Sequence, residues 1–174
     1  MQRALGPSGP SPQAARADIN TPEPERPAAQ QQEREIMPVR IVTDSAADLE
    51  AAEAKELGIE VVPLSIRFGS VEYTDGVDLS VEQFYDKLGS SDELPETAAP
   101  SPGAFEAAFR RQAEAGADAI VCINLSSGLS ATMQAAQNGA KALEGEIDVR
   151  VVDSRSITSG LAAQVRRAAQ AATG

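Results

Sequence analysis

Short apolar runs that end in polar turns are the feature that most restricts how this chain can fold. Runs of this kind cover residues 39–42, 119–124 and 149–152, and they are rich in Val and Ile. Apolar runs without alternation are typical of strands that are covered on both faces. Segments with helix-forming composition separate them. This alternation predicts an α/β domain: a mainly parallel sheet with helices on both faces, in a Rossmann-like α/β/α arrangement.

The beginning of the chain has a different composition. Residues 1–38 consist largely of Pro, Gln, Ala, Arg and Glu, with almost no large apolar side chain. Such a segment cannot bury enough apolar surface to offset the entropy lost on ordering. We therefore expect a disordered tail over residues 1–38 and one α/β domain over residues 39–174.

Composition also excludes several classes of function. The net charge of -11 argues against a nucleic-acid partner, because phosphate binding draws on clustered Lys and Arg. The sequence contains no histidine, which removes Ser-His-Asp catalysis, Cys-His catalysis and imidazole metal ligation. Cys122, the single cysteine, lies within an apolar run and is expected in the core of a cytoplasmic protein. No apolar run reaches transmembrane length, so no membrane span is expected.

Local signals predict the elements between these strands. Ser45 with Asp48, and Ser80 with Gln83, have the spacing of capping boxes. Ser101 followed by a proline is typical of a helix start, and residues 90–101 before it are predicted to form a loop. Helices are expected at residues 46–57, 80–88, 104–115 and 131–143, and one further strand, followed by a hairpin turn, at residues 59–68.

Four polar segments are predicted at strand ends: residues 43–45, the loop containing Thr97, residues 126–132 and residues 153–154. Parallel strands bring such segments to one edge of the sheet, where ligands of α/β proteins bind. Free N–H groups at a helix start favour an anion, and the hydroxyls of Ser126, Ser127, Ser130 and Thr132 offer uncharged donors. Residues 126–132 alone fit equally well the simpler interpretation that the serines cap a helix.

Six motifs in a fixed order carry a family resemblance. They are residues 41–45 (IVTDS), 62–64 (VPL), 73–78 (YTDGVD), 94–103 (LPETAAPSPG), 125–134 (LSSGLSATMQ) and 151–154 (VVDS). In this order they resemble the DegV family of bacterial fatty-acid-binding proteins, which includes the fatty-acid-carrier subunits of fatty acid kinase.

The resemblance implies a function and a set of contacts. It implies a non-enzymatic carrier, without metal or cofactor, that encloses one long-chain fatty acid between two domains and presents it to a kinase. The carboxylate contacts fall on Thr97 and Ser130, with Ser126 and Ser127 as further candidates. The present chain resembles the N-terminal domain, and the C-terminal domain is expected to be missing from it.

The sequence departs from the family pattern at two places. Ala98 and Ala99 replace a serine and a glutamine of the loop that contains Thr97. Ala131 and Met133 replace a glycine and an aromatic residue after Ser130, and the glycine had allowed close approach of the backbone.

Other functions remain open from the residues. Asp44 follows the first strand, where phosphotransferases of the haloacid-dehalogenase type place their nucleophile. Those enzymes need a second Asp two residues later, where this chain has Ala46, so we favour a turn acceptor. Asp75, Asp78 and Asp153 are interpreted as structural rather than as a magnesium site. A module that binds a sugar phosphate or another small anion, and an inactive fragment, are the remaining alternatives.

Overall fold

The computed structural model describes residues 38–91 and 93–173. The tail predicted for residues 1–38 therefore lies outside the described residues, apart from Pro38. The predicted α/β class is confirmed in the part that is described. None of the helices described there is both long enough and apolar enough to cross a membrane.

Within the described residues, seven strands form two sheets. They are β1 (Val39–Asp44), β2 (Ile59–Val62), β3 (Ser65–Phe68), β4 (Val71–Thr74), β5 (Glu96–Ala98), β6 (Ala119–Asn124) and β7 (Asp148–Asp153). The main sheet has the order β2-β1-β6-β7, and all of its strand pairs are parallel. The second sheet has the order β4-β3-β5 and is antiparallel.

The helices cover both faces of the main sheet. They are α1 (Ala51–Glu56), α2 (Val81–Ser90), α3 (Pro102–Glu114), α4 (Thr132–Lys141) and α5 (Ser159–Ala172), with a short 3-10 turn at Ser45–Ala47. Successive strand residues point to opposite faces. Val42 accordingly packs with Phe105 and Phe109 of α3, whereas Ile41 packs with Leu161 and other residues of α5. Two cores result, one on each side of the sheet.

Several sequence predictions are confirmed at the level of single residues. Ser80 and Gln83 form the expected capping box at the start of α2. Ser101 caps α3, and the Ser101 hydroxyl accepts a hydrogen bond from the N–H of Ala104. Cys122 is fully buried, and burial raises the pKa of its thiol, as befits a core residue rather than a nucleophile.

The strand predicted over residues 59–68 is two strands. Pro63 and Leu64 separate β2, in the main sheet, from β3, in the second sheet. Proline has no N–H to donate to a sheet, so a break at this position satisfies the backbone better than a continuous strand. The chain thereby leaves the carboxyl end of β2 and builds a small sheet beside that edge.

The predicted helix over residues 46–57 is also shorter than expected. Asp44, not Ser45, caps the first turn, and its carboxylate accepts from the N–H of Ala46. The Ser45 hydroxyl instead accepts from the N–H of Leu64. Asp48 adopts a left-handed conformation with φ of 49°, which ends the 3-10 turn before α1 begins. The capping box predicted for Ser45 and Asp48 is therefore wrong.

Candidate functional site

The carboxyl edge of the main sheet gathers the polar segments. The loops after β1, β6 and β7 lie there because all the strands of this sheet are parallel, as predicted. Thr97 reaches the same region by another route. It lies on β5, paired with Ile66 of β3, in a stretch that the sequence predicted as loop.

A pocket of about 610 Å³ opens at this edge. Thr97 and Ser130 both line it, although they are far apart in sequence and lie on different substructures. Its apolar wall consists of Leu64, Ile66, Leu125, Leu129 and Ile157, with several alanines. A second depression, of about 750 Å³, lies against α4 and β7 and is lined by none of the predicted site residues.

The Ser130 hydroxyl sits in a small hydrogen-bond network at the start of α4. Its Oγ lies 2.8 Å from Oγ1 of the buried Thr132, and it accepts from the N–H of Thr132 at 3.2 Å. When the Thr132 hydroxyl donates to Ser130, the proton of the Ser130 hydroxyl is available to a ligand in the pocket. Thr132 thus fixes the position of Ser130 and, in that arrangement, leaves its hydroxyl a donor.

Ser126 and Ser127 do not line the pocket. Ser127 donates from its backbone N–H and its hydroxyl to the Asp153 carboxylate. These bonds hold the pKa of Asp153 below its ordinary value. The Ser126 hydroxyl accepts from the N–H of Gly128, and its carbonyl oxygen accepts from the N–H of Ser130. In this geometry the two serines shape the turn that carries Ser130.

Asp44 connects the first strand to this turn. Its carboxylate is fully buried and accepts from Nδ2 of Asn124 at 3.0 Å and from the N–H of Leu125 at 2.9 Å, in addition to Ala46. Burial raises the pKa of Asp44, against the opposing effect of these donors. The interpretation of Asp44 as a turn acceptor is confirmed by these hydrogen bonds.

Two other carboxylates lie in the pocket itself. Asp48 and Asp75 both line it, whereas none of the described residues in its lining is Lys or Arg. Partial burial, together with the charge of Asp75, raises the pKa of Asp48. Sequence reasoning missed this arrangement, because the two residues meet only after the chain turns at Leu64 into the second sheet.

Sequence reasoning also missed two apolar residues and one threonine that line the pocket. Leu129 is 66% exposed and Ile157 is 42% exposed, although both are large apolar residues. Thr158 lines the pocket beside them. The sequence signal that could have found them is the presence of Leu129 and Ile157 in turns that are otherwise rich in serine. Because these side chains are exposed, packing in the core does not explain why they are apolar.

Together, the fold and the pocket define an α/β protein with a candidate ligand site at the carboxyl edge of a parallel sheet. The chain belongs to the DegV family: residues 38–174 match the model described as an uncharacterised protein of the DegV family. A DegV domain-containing protein of Halalkalibacterium halodurans is 44% identical over 116 residues, which cover 67% of this chain and 41% of that protein. The chain thus spans less than half the length of this relative.

Solved structures share the fold of this chain over the matched part. A DegV family protein from Thermus thermophilus, described by its fatty acid binding, matches with a TM-score of 0.70 at 31% identity, over 77% of this chain and 47% of that one. A fatty-acid-binding protein from Eubacterium ventriosum, described with stearic acid, matches with a TM-score of 0.71 at 29% identity, over 76% and 46%.

Proposed function

We propose that this chain binds a long-chain fatty acid and holds its carboxylate with the hydroxyls of Thr97 and Ser130. The observation that carries the proposal is the single pocket that both residues line together with five large apolar side chains. A fatty acid needs both features, because its carboxylate requires donors and its acyl chain requires apolar contact. The fatty-acid binding described for the solved relatives supports this assignment.

The two parts of the pocket serve different purposes in this proposal. Each methylene group removed from water contributes about 0.8 kcal/mol, so the acyl chain supplies most of the affinity. The hydroxyls of Thr97 and Ser130 determine where in the pocket the carboxylate binds, and so set the orientation of the fatty acid. Ser126 and Ser127 contribute by holding the turn through Asp153 and Gly128, since their hydroxyls lie outside the pocket lining.

A fatty acid suits this pocket better than a sugar phosphate. The described lining contains no basic residue and has two carboxylates, Asp48 and Asp75. A phosphate carries more negative charge than a carboxylate and is usually bound with Arg or Lys. A sugar also has no long apolar part that would contact the apolar wall of the pocket.

The carrier is proposed to act without catalysis of its own. Asp44, the residue that a phosphotransferase would use, has both carboxylate oxygens engaged by donors inside the fold. We further propose that a second domain encloses the acyl chain and that the complete carrier presents the carboxylate to a fatty acid kinase. The matched region covers only 41% and 47% of two of the relatives, which leaves room for such a domain in them.

The proposal is tested by the lipid content of the purified chain and by its binding of stearate. Native mass spectrometry and solvent extraction are expected to find a co-purified fatty acid, and equilibrium dialysis to find retention of radiolabelled stearate. The double variant Thr97→Ala, Ser130→Ala should bind stearate about a hundred times more weakly, since it removes two hydrogen bonds to a charged group and each is worth ~1.4 kcal/mol or more.

Ser70→Ala is the matched control, because it removes an exposed hydroxyl that lies outside the pocket lining. It should retain stearate as the unaltered chain does. Unfolding midpoints of all variants, measured by circular dichroism, separate lost contacts from lost folding. Absence of bound lipid and of stearate retention, combined with thermal protection by a sugar phosphate, contradicts the proposal.

A further inference from the structure

Thr158 has a backbone conformation that is unusual for its residue type. Its φ is 51° and its ψ is -131°. These angles match the first central position of a type II′ turn, a position that glycine dominates. For a β-branched residue a positive φ is a genuine outlier, and such strain persists only where the surrounding structure imposes it.

The surrounding structure does impose it. The segment after β7 is tied to two neighbouring loops by backbone hydrogen bonds: Ser154 to the carbonyl oxygen of Asn124 at 3.1 Å, and Ser126 to that of Ser156 at 2.8 Å. Thr158 itself donates its N–H to the carbonyl oxygen of Ala46 at 2.8 Å. On the other side, the carbonyl oxygen of Thr158 accepts from the N–H of Ala162 in α5 at 2.9 Å, so the backbone at Thr158 cannot relax without breaking one of these bonds.

The Thr158 hydroxyl is not used to cap the helix that follows. A threonine at a helix start usually accepts a hydrogen bond from an N–H of the first turn. Thr158 precedes α5 and makes no such side-chain bond. Thr158 lines the pocket of about 610 Å³, together with Thr97 and Ser130. These three are the hydroxyl-bearing residues among the described lining.

We propose that Thr158 is a third hydroxyl contact of the ligand carboxylate. Its glycine-type backbone conformation positions the side chain at the pocket, and a glycine there would satisfy the backbone without supplying a donor. A third neutral donor matters in this pocket because Asp48 and Asp75 contribute negative charge and the described lining offers no cation. The inference rests on the proposed function and adds a residue to it.

The test uses Thr158→Val, Thr158→Ser and Thr158→Gly, with Ser159→Ala as a control, in the whole chain and with stearate as the probe. Thr158→Val keeps the shape and the β-branch but removes the hydroxyl, and it should weaken stearate binding about tenfold, which corresponds to ~1.4 kcal/mol. Thr158→Ser keeps the hydroxyl and should retain binding. Ser159→Ala removes the neighbouring hydroxyl, which is outside the pocket lining, and should leave binding unchanged.

Thr158→Gly separates a ligand contact from a structural role. It relieves the backbone strain and also removes the hydroxyl, so the urea midpoint of unfolding should rise while stearate binding falls about tenfold. A purely structural residue would not move the two quantities in opposite directions. A lower midpoint for Thr158→Gly shows that the backbone is not strained and overturns the argument.

Equal binding by Thr158→Val and the unaltered chain overturns the third contact and leaves the proposed function intact. Failure of the unaltered chain to bind stearate at all overturns both proposals. Weakened binding in Thr158→Ser as well as Thr158→Val also contradicts a hydroxyl contact, because it ties the loss to the shape of the side chain instead.

Discussion

Replacement of Asp44 by alanine measures how much the hydrogen bonds of its carboxylate stabilise the loops at the pocket edge. The substitution removes the acceptor of two buried donors, Nδ2 of Asn124 and the N–H of Leu125, at 3.0 and 2.9 Å. A buried donor left without an acceptor costs roughly 1–3 kcal/mol. The loss is partly offset, because the buried carboxylate, whose pKa is raised, no longer has to be desolvated. We therefore expect the free energy of unfolding to fall by about 2–4 kcal/mol.

Urea unfolding measures this loss. The chain has no tryptophan, so far-UV circular dichroism is the appropriate signal, and the slope of the unfolding free energy against urea should stay constant. Asp78→Ala is the matched control, since the Asp78 carboxylate also accepts from a backbone N–H, that of Thr74, but in an exposed position. A change below about 1 kcal/mol for Asp44→Ala, or an equal change for Asp78→Ala, would refute the assignment of Asp44 as a buried acceptor.

Two further predictions concern packing and charge. Gly139→Ala should lower the free energy of unfolding by about 1–3 kcal/mol, because an added Cβ would lie 2.6 Å from the carbonyl oxygen of Pro102. Gly89→Ala is the control: its Cβ meets nothing within 4 Å, and it should raise the free energy of unfolding by ~0.5–1 kcal/mol. A loss of stability in both variants would contradict this reasoning. Asp48→Asn should stabilise the chain at pH 7. The folded pKa of Asp48 is raised above 3.8, so the charge of its carboxylate opposes folding at neutral pH. Urea unfolding at several pH values should show this gain in stability disappearing below pH 3.8, where Asp48 is protonated in both the folded and the unfolded state. A gain of the same size at every pH would exclude the charge effect.

Local sequence signals predicted well wherever a short-range bond decides the structure. Ser80 and Ser101 cap helices as their spacing indicates, because both partners lie within three residues. Ser45 has the same spacing but fails, since its hydroxyl accepts from Leu64, 19 residues away. A bond of that range is invisible to a rule about neighbouring positions.

The location of the site was predictable, but its composition was not. Parallel strands place their carboxyl ends together whatever the loops contain, so the meeting of Ser130 with the loop after β1 follows from strand order. Thr97 arrives through the second sheet, whose existence depends on the break at Pro63. Asp75 follows β4 of the same second sheet and so comes close to Asp48, which lies in the loop after β1; the spacing of the two residues in the sequence does not predict this.

An anion site built from hydroxyls depends on rigidity more than a site built from cations does. A lysine or arginine attracts a carboxylate over several ångströms, whereas a hydroxyl contributes only when its oxygen already lies within hydrogen-bond distance. The loops around this pocket have that rigidity: the carbonyl oxygen of Ala46 accepts from the N–H of Thr158, and Asp44 holds the N–H of Leu125. In the proposed site, the buried carboxylate of Asp44 therefore supports binding by fixing the positions of donors that carry no charge.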